Sequence, residues 1–328
     1  MGRPTAVFAL ACVLATVPGV AVASTVAVDP VTHQAVFTGG GGRNDVDTSD
    51  QHPPFGSVPP FQAPRWLWIV DAAQDLTAGP GCVAGLPVWC QTDEITVNLA
   101  GGDDHFGPSN GSHFITVNGG PGQDHIQTNG LSNTASGGSG ADWIRVGGNF
   151  RGSGYGDSGD DNIRSFASRL TILSGGSGDD LLYGERSENQ LSGDTGDDDL
   201  ILREDRIDSG TLTGGGGNDV MLVIGDPSQF STAVTFSGGS GGDLMVGHRG
   251  KDTVSGDRGR DIIDVSGDTD LQDTVDCGRG ADTVYADAGD VIAANCETVL
   301  NGPMPTDKRV DAALARLADA FGVTFRRA

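Results

Sequence analysis

The sequence predicts an all-β protein built as a parallel β-roll, with an N-terminal β cap and a short C-terminal helix. Three observations support this fold. The pattern Gly-[Gly or Asp]-x-Gly-x-Asp occurs eight times, the residue two positions after its Asp is aliphatic or Met each time, and the matches recur at a regular interval. The matches are residues 119–124, 137–142, 156–161, 175–180, 193–198, 214–219, 238–243 and 256–261.

The interval between aspartates predicts how the turns stack. Most steps are close to 18 residues rather than 9, and near matches at 247–252 and 277–282 and a partial one at 102–106 extend the series. In a β-roll, one nine-residue unit is a turn plus a short strand, and two units complete a rung. The acidic turns should therefore share one edge, formed by Asp104, Asp124, Asp142, Asp161, Asp180, Asp198, Asp219, Asp243, Asp261 and Asp282, and only Asp252 should give the opposite edge such a turn.

Each residue type in the pattern has a task in binding a hard cation. Glycine allows backbone carbonyls of successive turns to converge, because it has no side chain and accepts positive φ. Asp adds a carboxylate, and Ca²⁺ takes six to eight such oxygen ligands. We therefore predict several Ca²⁺ ions, each bound between two turns. The candidate ligand positions are Asp124, Asp142, Asp161, Asp180, Asp198, Asp219, Asp243, Asp252, Asp261 and Asp282, with Gly119, Gly137, Gly156, Gly175, Gly193, Gly214, Gly238 and Gly256.

The apolar residue two positions after each Asp should point between two strand walls. Stretches without acidic turns, such as 170–173 and 232–236, should form the second wall, and the apolar residue two positions before the first Gly should also point inward. The inward positions are Ile126, Ile144, Ile163, Leu182, Leu200, Met221, Met245, Val254, Ile263 and Val284, with Val117, Leu173, Leu191, Leu212 and Phe236 on the second wall.

The charge balance favours cations as partners and argues against nucleic acid. The chain has a formal net charge of -24 and only 20 Lys and Arg residues, whereas phosphate binding needs a basic surface. Simple solubility or disorder is the alternative explanation for an acidic chain, but disordered tails do not place Asp in phase with Gly and aliphatic residues. Ordering many glycines and stacking carboxylates both oppose folding, so we expect folding to require calcium.

The N-terminus has the pattern of a secretory signal peptide over residues 1–23. Arg3 precedes an apolar run over 6–17, and Ala21-Val22-Ala23 offers a small-x-small cleavage site. Lipid attachment at Cys12 is the alternative, although the apolar run continues past it. A membrane span is not expected, because Pro18-Gly19 interrupts the run and no second one follows. We therefore expect a secreted, extracellular protein.

Over roughly residues 97–287, the units resemble the glycine-aspartate nonapeptide repeat of RTX-type, or hemolysin-type, calcium-binding proteins. The closing stretch 275–287 with Asn295-Cys296-Glu297, and the opening stretch 77–82 with Cys90 and 95–99, also resemble bacterial members that carry a cysteine pair there. The resemblance implies calcium at the turns and secretion, but no single activity. Asp157, Asp194 and Asp257 depart from the pattern at its second Gly, and Asp tolerates left-handed backbone better than most residues.

Four cysteines remain after the leader, which suggests disulfides in an exported chain. Three pairings are formally possible. Because the two pairs lie at opposite ends of the repeats, Cys82 with Cys90 and Cys277 with Cys296 is the favoured pairing. A metal or redox site is the alternative, although the chain contains no Cys-x-x-Cys.

The sequence divides into four segments: the leader, an N-terminal β cap at 24–99, the repeats at 100–302 and a helical tail at 303–328. In the cap, 66–70 is the best strand, and Asp45, Asp47 and Asp50 suggest a solvated loop more than an ion site. In the tail, apolar residues recur at helical spacing. We expect a capping or loosely docked helix, with a partner-binding or secretion element as the alternative. The helical positions are Val310, Ala313, Leu314, Leu317, Ala318 and Phe321.

We predict no enzymatic activity. The segment Gly107-Pro-Ser109-Asn-Gly111 matches Gly-x-Ser-x-Gly, with His105 and His113 nearby, but it lacks the strand-turn-helix context of a nucleophile elbow. Zinc-protease and phosphate-loop motifs are absent from the sequence. The alternatives are an adhesin or matrix-type interaction protein, with a cell surface or polysaccharide as partner, and, with less support, a carbohydrate-active enzyme.

Overall fold

The computed structural model describes residues 24–30, 32, 34–50, 66–71, 76–80, 82–83, 88–92, 94–107, 113–167, 169–225, 233–267 and 271–323. The predicted leader lies outside these residues, as do the prolines at 53–64. The strands are β1 Ser24–Val28, β2 Ala35–Thr38, β3 Asp45–Asp50, β4 Trp66–Asp71, β5 Leu76–Ala78, β6 Cys82–Val83, β7 Val88–Gln91, β8 Glu94–Asn98, β9 His105–Phe106, β10 Phe114–Pro121, β11 His125–Ser139, β12 Trp143–Ser158, β13 Asn162–Ser165, β14 Leu170–Ser177, β15 Leu181–Thr195, β16 Asp199–Gly216, β17 Val220–Ile224, β18 Val234–Gly241, β19 Leu244–Val246, β20 Thr253–Gly259, β21 Ile262–Asp264, β22 Thr274–Asp276, β23 Arg279–Gly280, β24 Thr283–Ala286, β25 Val291–Ile292 and β26 Thr298–Asn301, and the helix is α1 Lys308–Phe321.

Parallel pairing stacks these strands into two walls of a solenoid, which confirms the predicted fold class. Wall A consists of residues 35–38, 94–98, 114–121, 132–139, 151–158, 170–177, 188–195, 209–216, 234–241, 253–259, 274–276 and 291–292. Wall B consists of residues 45–46, 105–106, 125–130, 143–148, 162–165, 181–185, 199–203, 220–224, 244–246, 262–264, 283–286 and 298–301.

The core is a thin aliphatic stack between the walls, as the alternation of the sequence predicts. Ile144, Ile163 and Leu200 from wall B are fully buried, and they face Leu173 and Leu212 from wall A. Stretches 170–173 and 234–236 lie in wall A, opposite the strands that follow each Asp. Because each inward residue stacks on its counterpart one rung away, the core grows with the number of rungs rather than in width.

The stacking begins earlier in the chain than the predicted boundary at residue 100. Strand β2 pairs in parallel with β8, and β3 pairs in parallel with β9, so residues within 35–46 already supply a rung. The expectation of a solvated loop at Asp45, Asp47 and Asp50 is wrong, because these residues lie in β3 and Asp45 accepts a 2.9 Å hydrogen bond from the His105 ring. The turn before β3, residues 39–44, follows the Gly-Gly-x-Gly-x-Asp pattern except that Asn44 replaces the Asp, so a search for the Asp does not find it.

A small antiparallel sheet covers the N-terminal end. Strand β1 pairs antiparallel with β2, and β4 pairs antiparallel with both β3 and β7. The strand expected at 66–70 is therefore confirmed as β4. Disulfides join Cys82 to Cys90 and Cys277 to Cys296, one near each end of the repeats, which confirms the favoured pairing.

Helix α1 lies along the outer face of wall B rather than over an end of the roll. The Asp307 carboxylate caps its N-terminus by accepting the Arg309 backbone N–H at 2.8 Å, and Gly322 ends it with φ of 64°. Ala313 and Leu317 are fully buried against outward apolar residues of wall B. Those wall residues are Leu181, Tyr183, Ile201, Val220, Leu222 and Leu244.

Candidate metal centre

Each acidic turn carries the chain from wall A to wall B, and its Asp points into the turn. In the turn at 175–180, Asp180 is fully buried. One oxygen of its carboxylate, Oδ1, accepts the backbone N–H of Asp161 from the preceding rung at 2.8 Å. The backbone N–H of Asp180 in turn donates to Asp198 Oδ1 at 2.8 Å. The carboxylates therefore tie consecutive rungs together along one edge.

This arrangement repeats along the whole edge, which we call the long ladder. It begins where the Asn44 backbone N–H donates to Asp104 and ends where the Asp282 backbone N–H donates to Glu297 Oε2 at 2.9 Å. Between these ends, the distance from each donating backbone nitrogen to the accepting Oδ1 is 2.7 to 2.9 Å. The successive members are Asp104, Asp124, Asp142, Asp161, Asp180, Asp198, Asp219, Asp243, Asp261 and Asp282.

The second carboxylate oxygen of every long-ladder Asp is buried and has no hydrogen-bond partner among the described residues. Leaving a buried polar oxygen without a partner costs on the order of 1–3 kcal/mol, and more when it carries charge. Ten such oxygens in one row indicate that the edge is built for a ligand that neutralises them.

The glycine that opens each turn leaves the space in front of this oxygen. A Cβ added to Gly238 would lie 2.5 Å from Asp243 Oδ2 and 2.7 Å from the carbonyl oxygen of Gly256, one rung away. A Cβ added to Gly256 would lie 2.6 Å from both Asp261 Oδ2 and the Cys277 carbonyl oxygen. Calcium–oxygen distances are about 2.3–2.6 Å. The space thus lies within coordination distance of a carboxylate and a carbonyl from two adjacent turns.

Burial raises the pKa of the ladder carboxyls well above the ordinary Asp value. The pKa of Asp180 rises to about 8, because burial disfavours its charged form more than the Asp161 N–H stabilises it. The same cause raises the pKa of Asp161 to about 7 and that of Asp142 to about 6. A divalent cation in contact with these oxygens would favour the ionised form and so reverse the shift.

Side chains alone do not build a site here. Within the described ranges, no three His, Cys, Asp or Glu side chains gather in a way that could hold a metal ion. The oxygen donors that converge are one carboxylate and the backbone carbonyls of neighbouring turns, a set that suits calcium better than the nitrogen- and sulfur-seeking metals.

The structure places the predicted site residues as follows. The glycines at 119, 137, 156, 175, 193, 214, 238 and 256 each open a turn of the long ladder, and all the predicted aspartates except Asp252 belong to that ladder. Asp157, Asp194 and Asp257 adopt φ of 72°, 73° and 65°, so Asp does supply the left-handed conformation at the second Gly position. The metal-binding role of the predicted aspartates and opening glycines stays a prediction.

Asp252 lies on the opposite edge, as expected, but the expectation that it has no neighbouring turn is wrong. It accepts the Val234 backbone N–H at 2.8 Å, and its own N–H donates to Asp273 Oδ1 at 2.7 Å. The backbone N–H of Asp273 donates in turn to Asp290 Oδ1 at 3.1 Å. We call these three residues the short ladder.

Sequence reasoning missed Asp273, although a signal for it exists. Asp273-Thr-Val275 repeats the sequence of Asp252-Thr-Val254, and both valines are buried in the core. The turn before Asp273 lacks the glycine pattern, so a search for that pattern does not find it. The Asp-Thr-Val sequence itself was the available marker.

Comparison with protein families agrees with this geometry. The model described as "RTX calcium-binding nonapeptide repeat (4 copies)" matches residues 118–150, 171–200, 211–222, 237–272 and 269–290. The chain carries RTX calcium-binding nonapeptide repeats. No curated protein and no solved structure matches the chain in the corresponding comparisons.

RTX repeats typically bind Ca²⁺, and the proteins that contain them are typically secreted. The two disulfides of this chain also suggest an extracellular environment. In the part of the chain that the structure describes, no helix is long and apolar enough to cross a membrane.

The histidines near the Gly-x-Ser-x-Gly match have other partners. Ser109 lies outside the described residues. The His105 ring contacts Asp45 at 2.9 Å, and His113 Nε2 lies 2.9 Å from the Thr92 carbonyl oxygen. Both histidines thus take part in contacts with the N-terminal rungs.

Proposed function

We propose that this is a secreted calcium-binding protein, without catalytic activity, whose RTX repeats bind Ca²⁺ between successive turns and at neutral pH fold only when the ion is bound. The observation that carries the proposal is the row of buried Oδ2 atoms in the long ladder, which at most turns lie near a carbonyl oxygen of the next turn.

The residues of the chain have distinct parts in this function. The Asp Oδ1 atoms hold the rungs in register through backbone N–H groups, and the Oδ2 atoms are left for the cation. The opening glycines keep the space clear and supply carbonyl oxygens. Bound calcium would supply the positive charge that allows the carboxyls to stay ionised at neutral pH.

Coupling of folding to calcium follows from the same geometry. Without the ion, the buried carboxylates of the folded edge have no positive charge to balance them, and they repel the carboxylates one rung away. At a hundredfold excess of free calcium over its dissociation constant, each site would stabilise the folded state by about 2.7 kcal/mol. Because every interior turn contributes to two sites, we expect binding and folding to be cooperative along the ladder.

A calcium titration of the purified chain without its leader tests this proposal. Circular dichroism should show little β signal in chelator and a cooperative gain as free calcium rises, and isothermal titration calorimetry should show several ions bound per chain. Magnesium should not replace calcium, because it requires near-octahedral geometry and dehydrates reluctantly. A full β signal in chelator, unchanged by calcium, would contradict the proposal.

A further inference from the structure

The turns of the long ladder carry a second row of side chains, at the position after the second Gly. Parallel pairing aligns this row from rung to rung, so its members are neighbours along the edge. Most are small or uncharged, but the last two are arginines. In order, the row is Pro121, Ser139, Ser158, Ser177, Thr195, Gly216, Ser240, Arg258 and Arg279.

Arg258 and Arg279 are register partners on adjacent strands, so their Cα atoms lie about 4.8 Å apart. Neither makes an ion pair with a described acidic residue, although acidic residues outnumber basic ones by 44 to 20. Elsewhere in the fold, Arg164 pairs with Glu185 at 2.8 Å and Arg316 with Asp199 at 2.7 Å. Arg258 and Arg279 thus lie side by side on the turn edge without a carboxylate partner among the described residues.

The two arginines line an open notch of about 440 Å³ on the turn edge. Its other lining residues are Gly215, Gly239, Ser240 and Asp257. Gly216, which precedes Ser240 in the row, has no side chain, and this leaves the notch open on the N-terminal side. The notch therefore combines two cationic groups and one hydroxyl with the backbone of Gly215 and Gly239.

Asp257 is the one acidic residue of the notch, and its carboxylate has other partners. Asp257 Oδ2 accepts a hydrogen bond from Ser237 Oγ at 2.7 Å, and Oδ1 accepts one from Ser255 Oγ at 2.8 Å. These hydroxyl groups hold the carboxylate on the turn, so it does not pair with either arginine. The lining residues of the notch therefore carry two positive charges and one negative charge.

We propose that this notch, lined by Arg258, Arg279 and Ser240, is a binding site for an oxyanion such as a sulfate or carboxylate group. Guanidinium groups present several N–H donors in a planar fork that matches the oxygens of such anions, and Ser240 can add a further donor. The anion is either a free ion or a group carried by an acidic polysaccharide outside the cell. The repeat of guanidinium groups along the solenoid axis suits a ligand with repeated charges.

Binding to immobilised dextran sulfate tests the site, with neutral dextran as the reference and inorganic sulfate as a competitor. All measurements use the full, calcium-loaded chain at constant free calcium and ionic strength. The double substitution Arg258→Gln with Arg279→Gln should weaken binding by on the order of tenfold or more, because it removes charge-assisted hydrogen bonds. Competition by low inorganic sulfate concentrations would assign the site to the free ion, and polymer binding that resists it would assign the site to the polysaccharide.

A matched control separates the site from overall charge. Arg151→Gln with Arg169→Gln makes the same charge change at exposed positions preceding this region, and it should alter binding by less than about twofold, since distant surface charges are screened. Equal losses in both double variants, or failure of the parent chain to bind dextran sulfate and sulfate alike, would overturn the proposal. Circular dichroism and calcium stoichiometry of each variant show whether the repeats remain folded and loaded, so a failure here is distinct from a failure of calcium binding.

Discussion

The two edges of the roll join the same two walls by different means. On the long-ladder edge, buried carboxylates such as Asp161 and Asp180 close every turn. On the opposite edge, neutral side chains take that place over the central rungs: Asn133 Nδ2 donates to the Gly147 carbonyl, and the hydroxyls of Ser165 and Thr171 lie 2.9 Å apart. A neutral hydrogen-bond network needs no ion, whereas a row of buried carboxylates does. Over the central rungs, calcium dependence should therefore belong to the long-ladder edge.

Toward the C-terminus, the opposite edge also contains buried carboxylates. The short ladder of Asp252, Asp273 and Asp290 replaces neutral groups by carboxylates. This ladder spans few rungs, and Asp252 has Val234 rather than an acidic residue on its N-terminal side. The comparison predicts that the same substitution in the two ladders has unequal effects on calcium-dependent folding.

The largest difference should come from filling the ion's space. In Gly175→Ala, the new Cβ would collide with Asp180 Oδ2, while Gly216→Ala places its Cβ no closer than 3.4 Å to Ser240 Oγ. Neither glycine has positive φ. We expect Gly175→Ala to raise the calcium concentration at the folding midpoint strongly, corresponding to a few kcal/mol, and Gly216→Ala to change it little. A calcium titration followed by circular dichroism measures both, and similar midpoints would show that the space beside Asp180 is not used.

Asp180→Ala and Asp252→Ala should also differ in the free energy of unfolding that they cost, but by less. Each removes one carboxylate and the acceptor of one backbone N–H, from Asp161 and Val234 respectively. Asp180 has acidic neighbours on both sides and should contribute to two sites, whereas Asp252 has one such neighbour. The free-energy cost for Asp180→Ala should thus be roughly twice that for Asp252→Ala at saturating calcium.

Denaturant unfolding of the two variants in calcium gives this ratio. Asp273→Ala is the informative addition, because Asp273 has Asp252 and Asp290 on its two sides. We expect its cost to lie above that of Asp252→Ala. If Asp252→Ala costs as much as Asp180→Ala, then sites are not shared between rungs in the way the ladders indicate.

The smallest effect concerns pH in the absence of calcium. Burial raises the pKa values of the eight ladder carboxyls from Asp124 to Asp261 from 3.8 to between about 6, as for Asp142, and about 8, for Asp180, and it also raises those of Asp104 and Asp282. An acid whose pKa is higher in the folded state favours folding when protonated. This contribution is fully present below pH 3.8 and is lost as the pH rises through about 6 to 8.

In chelator, the β signal should therefore recover in part when the pH falls from 8 to 5, where most ladder carboxyls are protonated in the folded state. With calcium present the opposite holds, since protons compete with the ion and its apparent affinity should fall over the same range. Circular dichroism at matched ionic strength checks both trends. A chelated chain that gains structure as the pH rises would contradict the burial of these carboxyls.

Much of the calcium edge could be predicted from local patterns. Gly175 and Asp180 belong to one turn of six residues, and the conformations and oxygens that the turn needs are encoded within it. The same holds for the buried Ile163 and Leu182, because alternation along a strand sets which side chains point inward. The rung at Ala35–Thr38 was harder to predict, because the turn after it, residues 39–44, keeps the glycines of the pattern but ends in Asn44 instead of Asp. Its partner strand Glu94–Asn98 also lies far along the chain.

By itself, the sequence determined the repeating turn, the phase that puts ten carboxylates on one edge, and the inward apolar row, because these depend on residues close together in the chain. Only the tertiary structure decided that α1 covers wall B, that Asp273 continues the short ladder and that Arg258 pairs in register with Arg279. Each of these depends on which rungs become neighbours, as when Leu317 meets Leu181. The pairing register across rungs of unequal length creates those contacts, and it exists only once the roll has formed.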